Sequence, residues 1–519
     1  MPEPTREVRE QDEPAAPGSG RTGSAPISLR LEVEDALFYA VVIVGVAFAF
    51  QGSRGVWEPD EGRYVHSALE MLRGGDWLVP RLHELVYLDK PPAIYWAVAV
   101  GIKALGANEW GIRLAHALAL VGTAILVGGW LRPVLGRRGA RVAAAAYGTT
   151  LLPVVAANAV TPDGLLALFT TAASVAYWRY RSTETATGRY LWATAVGFSV
   201  ALGLSTKGTA ALIFAGPIVL HLLWEIGPSR AVRRTELWVA ALAAIGLGAA
   251  WYLIVGASVP GALEYFFDNQ VAGRLWKSSY HRNAEWWKPL RVYGASVLAG
   301  SLPWSLIWVR LGWKHGAGRL RSLITADPLS RFLLLAIALP LLVLSLAKSR
   351  LELYALPVLA PIVALTVLTA WRSGLAGRWR LALVVAAVGL MALKSFAASW
   401  PADRDTRQLA RELAETGVPA DGCIDVLNDK VHGLSLYGFD RVSWHTTSPE
   451  TYPYFEPPRM LVPELPTLAD RCGGEMYFLS RLDHLQALAG TLTASGWTCA
   501  APLSSARQAT MYCRDRSSG

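Results

Sequence analysis

Long apolar segments separated by short arginine-rich loops are the feature that most constrains this chain. The first apolar segment, DALFYAVVIVGVAFAF, ends at Phe50, and similar segments recur to about residue 400. The chain is 53% hydrophobic and 17% charged, whereas globular domains carry about 25% charged residues. Long apolar segments with few charges are typical of transmembrane helices. The sequence therefore predicts a polytopic α-helical membrane protein.

The net charge of +9 does not indicate a nucleic-acid-binding protein. The arginines cluster between apolar segments, and the sequence shows no basic face interleaved with aromatic residues. The 21 tryptophans fit a membrane protein, because indole rings favour the membrane–water interface. We therefore expect membrane lipids, and no nucleic acid, among the partners.

Basic residues assign the sides of the membrane, because Lys and Arg concentrate in cytoplasmic loops. The clearest cytoplasmic loop is RPVLGRRGAR, and four later loops agree with it: WRYRSTETATGRY, GPSRAVRR, VRLGWKHGAGRLR and WRSGLAGRWR. The turns between them, at residues 161–164, 205–208, 258–290 and 347–354, then face outside. This pattern predicts a fold of about eleven to thirteen spans. With eleven, the N-terminus is cytoplasmic and the C-terminus extracytoplasmic.

One apolar segment is ambiguous. PPAIYWAVAVGIKALG, at residues 91–106, contains Lys103 and is short for a span, which needs about 20 residues. We interpret it as an interfacial or partly inserted helix on the outer side. Counting it as a span would reverse the side of every later loop.

Composition divides the chain into three parts. Residues 1–34 are rich in Pro, Gly, Ser, Glu and Arg, which predicts a disordered cytoplasmic tail without a cleavable signal peptide. Residues 35–400 form the predicted transmembrane domain. In residues 401–519 the apolar segments shorten, CIDVLN, MYFLS and ATMYC predict strands, and RLDHLQALAGTL predicts a helix. This part is expected to be a small extracytoplasmic α/β domain.

All four cysteines lie in that last part, at Cys423, Cys472, Cys499 and Cys513. Small exported domains use disulfides, so we expect disulfides and an oxidising compartment. Three pairings are open from the sequence, and four unrelated buried thiols are the alternative.

Unusual polar residues gather on the predicted outer side. The first outer loop begins with WEPDEGRY, which puts two adjacent carboxylates beside a membrane helix, where charge is costly. Carboxylates and cations that converge on one cavity suit a substrate with a phosphate and a hydroxyl, because cations hold the phosphate and a carboxylate can take the proton. The candidates over five outer loops are Asp60, Glu61, Arg63, Lys90, Asp163, Lys207, Asp268, Asn269, Arg274, His281, Arg282, Glu285, Lys348, Arg350, Glu352 and Tyr354.

Each candidate also has a purely structural interpretation. Asp163 fits the first turn of a helix with Thr161 as its cap and Pro162 at its first position. Lys90 and Lys207 could extend their charge to the membrane surface. Arg350 and Glu352 could form a surface ion pair of little energetic value, His281 could be an ordinary interfacial residue, and Glu61 could be simply solvated. The gathering of these residues on one side favours a site.

The stretch WEPDEGRYVHSALEMLRGGDWLVPRLHELVYLDKPPAIYW resembles the start of the GT-C polyprenyl-phosphate-dependent glycosyltransferases. It is most similar to the ArnT-like aminoarabinose transferases and, more distantly, to the protein mannosyltransferases. The matching motifs are the acidic pair with Arg-Tyr, GDWLVP at residues 75–80, and Lys-Pro-Pro followed by Tyr-Trp. TPDG, TKG, YFFDNQVAGRLWKSSYHRNAEWW and SRLELYALP then follow in the family's order, so the resemblance covers roughly residues 35–370.

The resemblance implies an inverting enzyme of the bacterial inner membrane that moves a sugar from a polyprenyl-phosphate donor to an extracytoplasmic acceptor: lipid A, another glycan or a protein. It implies Asp60 as the catalytic carboxylate, with Asp163 and Glu61 as further candidates. The implied donor-phosphate residues are Arg63, Lys90, Lys207, Arg274, Lys348, Arg350 and Tyr354. The implied sugar or acceptor pocket contains Tyr64, Tyr95, Asn269 and His281. No cofactor is required, although the three carboxylates could hold a divalent cation.

Two departures from the family concern the sugar and the acceptor more than the reaction class. Gly62 stands where the family often has proline, and Arg350 and Glu352 stand where aminoarabinose transferases usually have small or apolar residues. A transporter or flippase of lipid-linked substrates is the alternative function. Transporters, however, place polar residues near the bilayer midplane, often in repeated halves. A structural membrane anchor would not need so many outer acids and bases.

Overall fold

The structure is a computed structural model that describes residues 25–268, 283–375, 379–400, 402–447, 454–504 and 508–516, with side chains from residue 32 onward. Helices dominate the chain up to residue 399, and a mixed sheet flanked by helices follows. Among the described residues, five helices are long and apolar enough to cross a membrane: Glu109–Gly148, Thr235–Ser258, Pro328–Leu346, Glu352–Arg372 and Trp379–Ser399. The larger predicted number of spans stays a prediction.

The first part of the chain contains sixteen described α-helices. They are α1 (Ala25–Phe48), α2 (Asp60–Gly74), α3 (Ala93–Leu105), α4 (Glu109–Gly148), α5 (Leu151–Ala157), α6 (Pro162–Arg181), α7 (Ala186–Lys207), α8 (Ala210–Ile226), α9 (Pro228–Val232), α10 (Thr235–Ser258), α11 (Ala262–Tyr265), α12 (Ala295–Leu298), α13 (Leu306–Ile324), α14 (Pro328–Leu346), α15 (Leu359–Arg372) and α16 (Trp379–Ser399). A π-helical turn at Leu290–Gly294 precedes α12, and a 3-10 helix at Glu352–Val358 leads into α15. The strands β1 (Arg81–Leu82) and β2 (Leu85–Val86) form a small hairpin between α2 and α3.

The first predicted cytoplasmic loop is a tight turn within α4. Gly136 has φ 68°, a conformation that only glycine adopts readily, and it interrupts the helix there. A Cβ on Gly128 would lie 2.8 Å from the Ala140 carbonyl oxygen and 3.1 Å from the Ala144 Cβ. In a straight helix, residues this far apart in sequence are about 18 Å apart. The chain therefore reverses at Gly136, and α4 is a helical hairpin.

The first helix begins earlier than the sequence predicted. α1 starts at Ala25, whereas the predicted tail extends to residue 34. Glu32 on this extension pairs with Arg137 at 2.8 Å, and Asp35 pairs with Arg141 at 2.8 Å. The basic loop thus supplies partners for the acidic residues, which explains why the helix continues beyond the apolar segment.

The ambiguous segment after Lys90 forms α3, a helix of 13 residues. At 1.5 Å per residue its length is about 20 Å, less than the roughly 30 Å of hydrocarbon that a span must cross. A side chain at Gly101 would overlap the backbone of Gly111, so α3 packs closely on the start of α4. The helix is therefore short for a span, and its interfacial position stays a prediction.

The last part is an α/β unit, as predicted. Its strands are β3 (Ile424–Leu427), β4 (Val442–Thr446), β5 (Arg459–Met460), β6 (Glu475–Ser480), β7 (Trp497–Cys499), β8 (Leu503–Ser504) and β9 (Ala509–Asp515), and its helices are α17 (Thr406–Glu415), α18 (Leu461–Cys472) and α19 (Leu482–Ala494). The spatial order is β5-β4-β3-β6-β9-β7, with β8 beside β9. Strands β5, β4, β3 and β6 are parallel, and β9 is antiparallel to β6 and β7.

Two disulfides confirm the prediction made for the cysteines. Cys423 pairs with Cys472 and joins the start of β3 to the end of α18. Cys499 pairs with Cys513, which stands directly opposite it on the neighbouring strand. Both bonds belong to the core that packs α18 and α19 on one face of the sheet.

The other face of the sheet packs against the first outer loop. Because successive residues of a strand point to opposite faces, Ile424 and Val426 share one face of β3. They lie in a single apolar core with Val56 and Tyr64 of the first outer loop. The backbone adds hydrogen bonds, and the Thr406 N–H donates to the Val56 carbonyl at 2.9 Å. The sheet domain is therefore fixed to the loop that carries the acidic pair.

Candidate active site

Asp60 opens helix α2 and remains accessible. The helix begins at this residue, so Asp60 and Glu61 both lie in its first turn, where the helix dipole favours negative charge. The Asp60 side chain is 62% exposed, and it forms an ion pair with Arg63 one turn later. An exposed carboxylate at this position can be reached by a substrate.

Glu61 has the opposite environment. It is buried, and its two oxygens accept hydrogen bonds from Arg54 at 2.7 Å each. The backbone N–H groups of Trp57 and Val160 donate to the same carboxylate at 2.9 and 2.8 Å. Burial alone would raise the pKa of Glu61, but the charges of Arg54 and Arg113 lower it to about 2. Glu61 is therefore not simply solvated. Its carboxylate links the first outer loop to the turn before α6.

Asp163 and Lys207 form a buried ion pair between two helix ends. Asp163 lies in the first turn of α6, after Thr161 in an extended conformation and Pro162 at the first position, as its structural interpretation predicted. Thr161 forms no side-chain cap, however. Lys207, the last residue of α7, pairs with Asp163, and its ammonium lies 4.0 Å from the centre of the Tyr354 ring. The second, third and fifth outer loops thus meet here.

Arg63 lies at the contact between the first outer loop and the sheet domain. Its Nη1 donates to the hydroxyl oxygens of Tyr87 at 3.2 Å and Tyr454 at 3.3 Å, and its Nη2 donates to Asp60. Tyr454 belongs to the sheet domain and lies shortly before β5. Arg63 is therefore held from both domains.

Lys90 is also paired with a carboxylate. It forms an ion pair with the preceding Asp89, and both side chains are nearly buried, with exposures of 12% and 11%. Lys207 is buried to a similar degree, at 7%. The interpretation in which these lysines merely extend into solvent is therefore wrong.

Tyr64 of α2 and Tyr95 of α3 pack against each other. Their rings are 5.9 Å apart, and the Tyr95 hydroxyl is buried without a hydrogen-bond partner in the described part of the chain. Burial raises the pKa of Tyr64 well above its usual value, and the charges of Asp89, Asp60 and Asp163 raise it further while Arg63 opposes them. The two tyrosines therefore join α2 to α3 beside the loop that carries the acidic pair.

Arg350 holds two outer loops together through backbone carbonyls. It is 5% exposed and donates to the carbonyl oxygens of Asn283 at 2.6 Å, Glu285 at 3.1 Å and Ser345 at 3.0 Å. The interpretation of Arg350 as half of a surface ion pair is wrong, because the guanidinium is buried. Lys348 is exposed. Four candidates named from the sequence, Asn269, Arg274, His281 and Arg282, lie outside the described residues.

The sequence did not reveal Glu58. This buried carboxylate accepts hydrogen bonds from Thr406 Oγ1 at 2.9 Å and from the N–H groups of His432 and Gly433 at 2.9 and 2.5 Å. Burial raises the pKa of Glu58 to about 7, although these hydrogen bonds lower it. A side chain at Gly62 would overlap the Glu58 carboxylate, which accounts for glycine where the family often has proline. The other residues missed are Arg54, Tyr87, Asp89, Arg113 and Tyr454.

The candidate cation ligands are already paired with basic side chains. Asp60 pairs with Arg63, Glu61 with Arg54, and Asp163 with Lys207. Within the ranges that the structure describes, no group of three or more His, Cys, Asp or Glu side chains is placed to hold a metal ion. The donor set here therefore fits basic side chains better than a divalent cation.

The architecture is that of the ArnT-like GT-C membrane proteins. The crystal structure of ArnT from Cupriavidus metallidurans bound to undecaprenyl phosphate matches with a TM-score of 0.74 at 19% identity, over 94% of this chain and 98% of that chain. The apo state of the same protein gives a TM-score of 0.72, over 96% and 99%. At this identity the likeness shows the fold alone. The likeness in fold and the five apolar helices together indicate a multi-pass membrane protein.

Sequence comparison leads to particular relatives. The family described as dolichyl-phosphate-mannose-protein mannosyltransferase matches residues 36–261. The undecaprenyl phosphate-alpha-4-amino-4-deoxy-L-arabinose arabinosyl transferase of Pectobacterium carotovorum is 33% identical over 363 residues, which are 65% of this chain and 62% of that protein. The protein of the same name from Edwardsiella ictaluri is 32% identical over 343 residues, or 63% and 56%. The chain thus spans about three fifths of the curated relatives it matches. The resemblance inferred from the first outer loop is confirmed.

Proposed function

We propose that this chain is an inverting glycosyltransferase that moves a sugar from a polyprenyl-phosphate donor to an acceptor on the outer side of a bacterial inner membrane. The observation that carries the proposal is a set of three carboxylate–cation pairs drawn from the first three predicted outer loops, in which Asp60 is accessible to a substrate. The pairs are Asp60 with Arg63, Asp89 with Lys90, and Asp163 with Lys207. The names of the two curated relatives and the undecaprenyl phosphate bound to the structural relative support this donor class.

The cations fit the leaving group of such a reaction. An acceptor oxygen attacks the sugar carbon, the bond from that carbon to the phosphate oxygen breaks, and its electron pair leaves with the polyprenyl phosphate. Negative charge therefore grows on the phosphate in the transition state. Arg63 and Lys90, which lie nearly buried in the first outer loop, would stabilise that charge more than the ground state, and this lowers the barrier.

Asp60 is the group that we assign to the acceptor side. A hydroxyl is a poor nucleophile until a base takes its proton, and an accessible carboxylate can do so. Asp60 is the exposed carboxylate of the cluster, whereas Glu61 and Asp163 are buried in ion pairs. If the acceptor is itself a phosphate, no base is needed, and Asp60 would instead orient the sugar. Glu61 and Asp163 would then position the loops rather than transfer protons.

The remaining predicted residues complete the proposal. Tyr354 and Lys207 would extend the phosphate pocket, and Tyr64 and Tyr95 would line the sugar side. Arg274, Lys348, Asn269 and His281 keep the roles that the family resemblance implies. We propose that the enzyme needs no cofactor. We also propose that its N-terminus lies in the cytoplasm and that the sheet domain lies on the outer side of the membrane. Lipid A, another glycan and a protein all stay open as acceptors.

The position of the charges favours an enzyme over a transporter. Asp163 lies at the beginning of α6 and Lys207 at the end of α7, so the pair is at helix ends rather than halfway along a helix. Transporter sites lie near the bilayer midplane. A flippase would also leave the bond between sugar and phosphate intact, which gives a clear experimental distinction.

The test is a transfer assay with the purified full-length protein. It is incubated with a panel of polyprenyl-phosphate sugars and extracted envelope lipids, and the products are read by mass spectrometry, with the anomeric configuration by NMR. The proposal expects free polyprenyl phosphate and an acceptor that has gained one sugar of inverted configuration. Recovery of every donor intact, under conditions in which the protein is folded, would overturn it.

A further inference from the structure

The sheet domain reaches the first outer loop through a short segment beside the charged cluster. Tyr454 places its hydroxyl 3.3 Å from Arg63 Nη1. Two residues further on, the Glu456 carboxylate accepts a hydrogen bond of 2.6 Å from the backbone N–H of Val86. Phe455, between them, packs against the apolar cluster that contains Val86. The segment Tyr454–Glu456 is therefore fixed to the membrane domain at three successive residues.

A second contact fixes the sheet domain to the start of α2. Glu58 is held by the hydroxyl of Thr406 and by the backbone N–H groups of His432 and Gly433, all from beyond residue 400. His432 also forms a ring-to-ring hydrogen bond of 3.0 Å with His83 of the first outer loop. The contacts of Glu58, just before α2, and of Arg63, in its first turn, therefore fix the position of Tyr454 relative to this helix.

These contacts fix the conformation of the Arg63 side chain. A free arginine side chain loses rotamer entropy when it is fixed. Here two tyrosine hydroxyls accept from the same Nη1, and Asp60 accepts from Nη2. The guanidinium is therefore ordered before any anion arrives, and its Nε–H is buried without a partner in the described part of the chain. Pre-ordered donors stabilise developing charge at no further cost of reorganisation.

We propose that Tyr454 is a positioning residue of the active site, and that its hydroxyl, supplied by the sheet domain, holds the Arg63 guanidinium in place for the donor phosphate. The sheet domain then completes the site instead of being merely attached to it. This inference rests on the proposed function, because it assigns the phosphate of a polyprenyl-phosphate donor to Arg63.

The test compares Tyr454→Phe with a matched control. The substitution removes the hydroxyl but keeps the ring, which packs 5.5 Å from Tyr87 and 5.9 Å from Trp444. Tyr512→Phe is the control, because Tyr512 is a half-buried tyrosine of the same domain that packs on Tyr477. We expect kcat/KM for the donor to fall about tenfold in Tyr454→Phe, the size of one hydrogen bond to a charged group, with little change in the KM for the acceptor. The control is expected to match the wild type.

A double-mutant cycle separates positioning from simple packing. Once Arg63→Lys has removed the guanidinium, adding Tyr454→Phe should lower kcat/KM for the donor no further, whereas independent effects would multiply. Equal unfolding temperatures for Tyr454→Phe and the wild type exclude a general loss of stability. Multiplicative effects in the cycle would overturn the inference.

Binding of polyprenyl phosphate alone distinguishes this inference from the proposed function. The probe is added to the full-length protein in detergent, and the shift of the unfolding temperature gives the affinity. No binding by the wild type would count against the proposed function itself. Binding by the wild type with weaker binding by Tyr454→Phe supports the inference, whereas equal binding by both refutes it and leaves the proposed function standing.

Discussion

Glu58 and Glu61 lie three positions apart, but removing the negative charge should have opposite effects on the stability of the folded protein at the two positions. Arg54 and Arg113 stabilise the ionised form of Glu61, and its pKa falls from 4.5 to about 2. Each pKa unit corresponds to about 1.4 kcal/mol, so the folded protein gains on the order of 3 kcal/mol from the ionised carboxylate. Glu61→Gln removes this charge and leaves Arg54 and Arg113 without their counter-ion, and breaking a buried pair costs about 3–5 kcal/mol.

The pH dependence follows from the direction of each shift. The lowered pKa of Glu61 means that its contribution is present above pH 4.5 and is lost as the pH falls towards about 2. The raised pKa of Glu58 means that its contribution is present below pH 4.5 and is lost as the pH rises through about 7. Glu58→Gln, which mimics the protonated carboxyl, should therefore become more stable relative to the wild type as the pH rises from 4.5 to about 7, with little further change above that.

The assay is thermal unfolding of the full-length protein in detergent, followed by tryptophan fluorescence between pH 5.5 and 8.5. Glu61→Gln is expected to unfold at a clearly lower temperature than the wild type, by an amount that does not change over this range. Glu58→Gln is the matched control, and its difference from the wild type should change in its favour between pH 5.5 and about 7 and level off above that. An unchanged unfolding temperature for Glu61→Gln, or an equal loss for both variants at pH 8, would refute the reasoning.

Two further predictions concern the donor and the disulfides. Lys90→Ala should raise the KM for the donor far more than the KM for the acceptor, because the ammonium is assigned to the phosphate; an unaltered donor dependence would remove Lys90 from the site. Non-reduced, unfolded protein should show no thiol that reacts with maleimide, and reduction should lower the unfolding temperature, since the bond from Cys423 to Cys472 spans 49 residues and closing such a loop is worth about 4 kcal/mol. Labelling of all four cysteines before reduction would contradict the disulfide assignment.

The predictable part of the fold depends on signals that are local in sequence. Apolar runs indicated membrane helices, and short apolar stretches after residue 400 indicated the strands and the helix at Leu482–Ala494. The sides assigned from the basic loops stay a prediction. The start of α1 at Ala25 was missed because acidic residues ended the apolar run, and their arginine partners lie far along the chain. Pairing of the cysteines was open for the same reason, since it depends on which strands become neighbours.

The sequence singled out several charged residues but did not reveal how they pair, and their membership of an active site stays a prediction. Side assignment placed Asp163 and Lys207 at outer helix ends, but their ion pair depends on how α6 packs against α7. Glu58 and Tyr454 were missed because their partners lie more than 300 residues away. One local signal was available: a glycine in the first turn of α2 is a poor helix former, so Gly62 indicates a close approach, here of the Glu58 carboxylate.

Sugar transfer by Asp60→Asn tests the central claim most directly. The substitution keeps the size of the side chain and, at an exposed helix start, should leave the unfolding temperature unchanged. With the donor and acceptor that the wild type uses, the release of polyprenyl phosphate should fall by about 10²- to 10⁴-fold, the usual contribution of a general base. Wild-type turnover by folded Asp60→Asn would contradict the assignment of catalysis to this carboxylate.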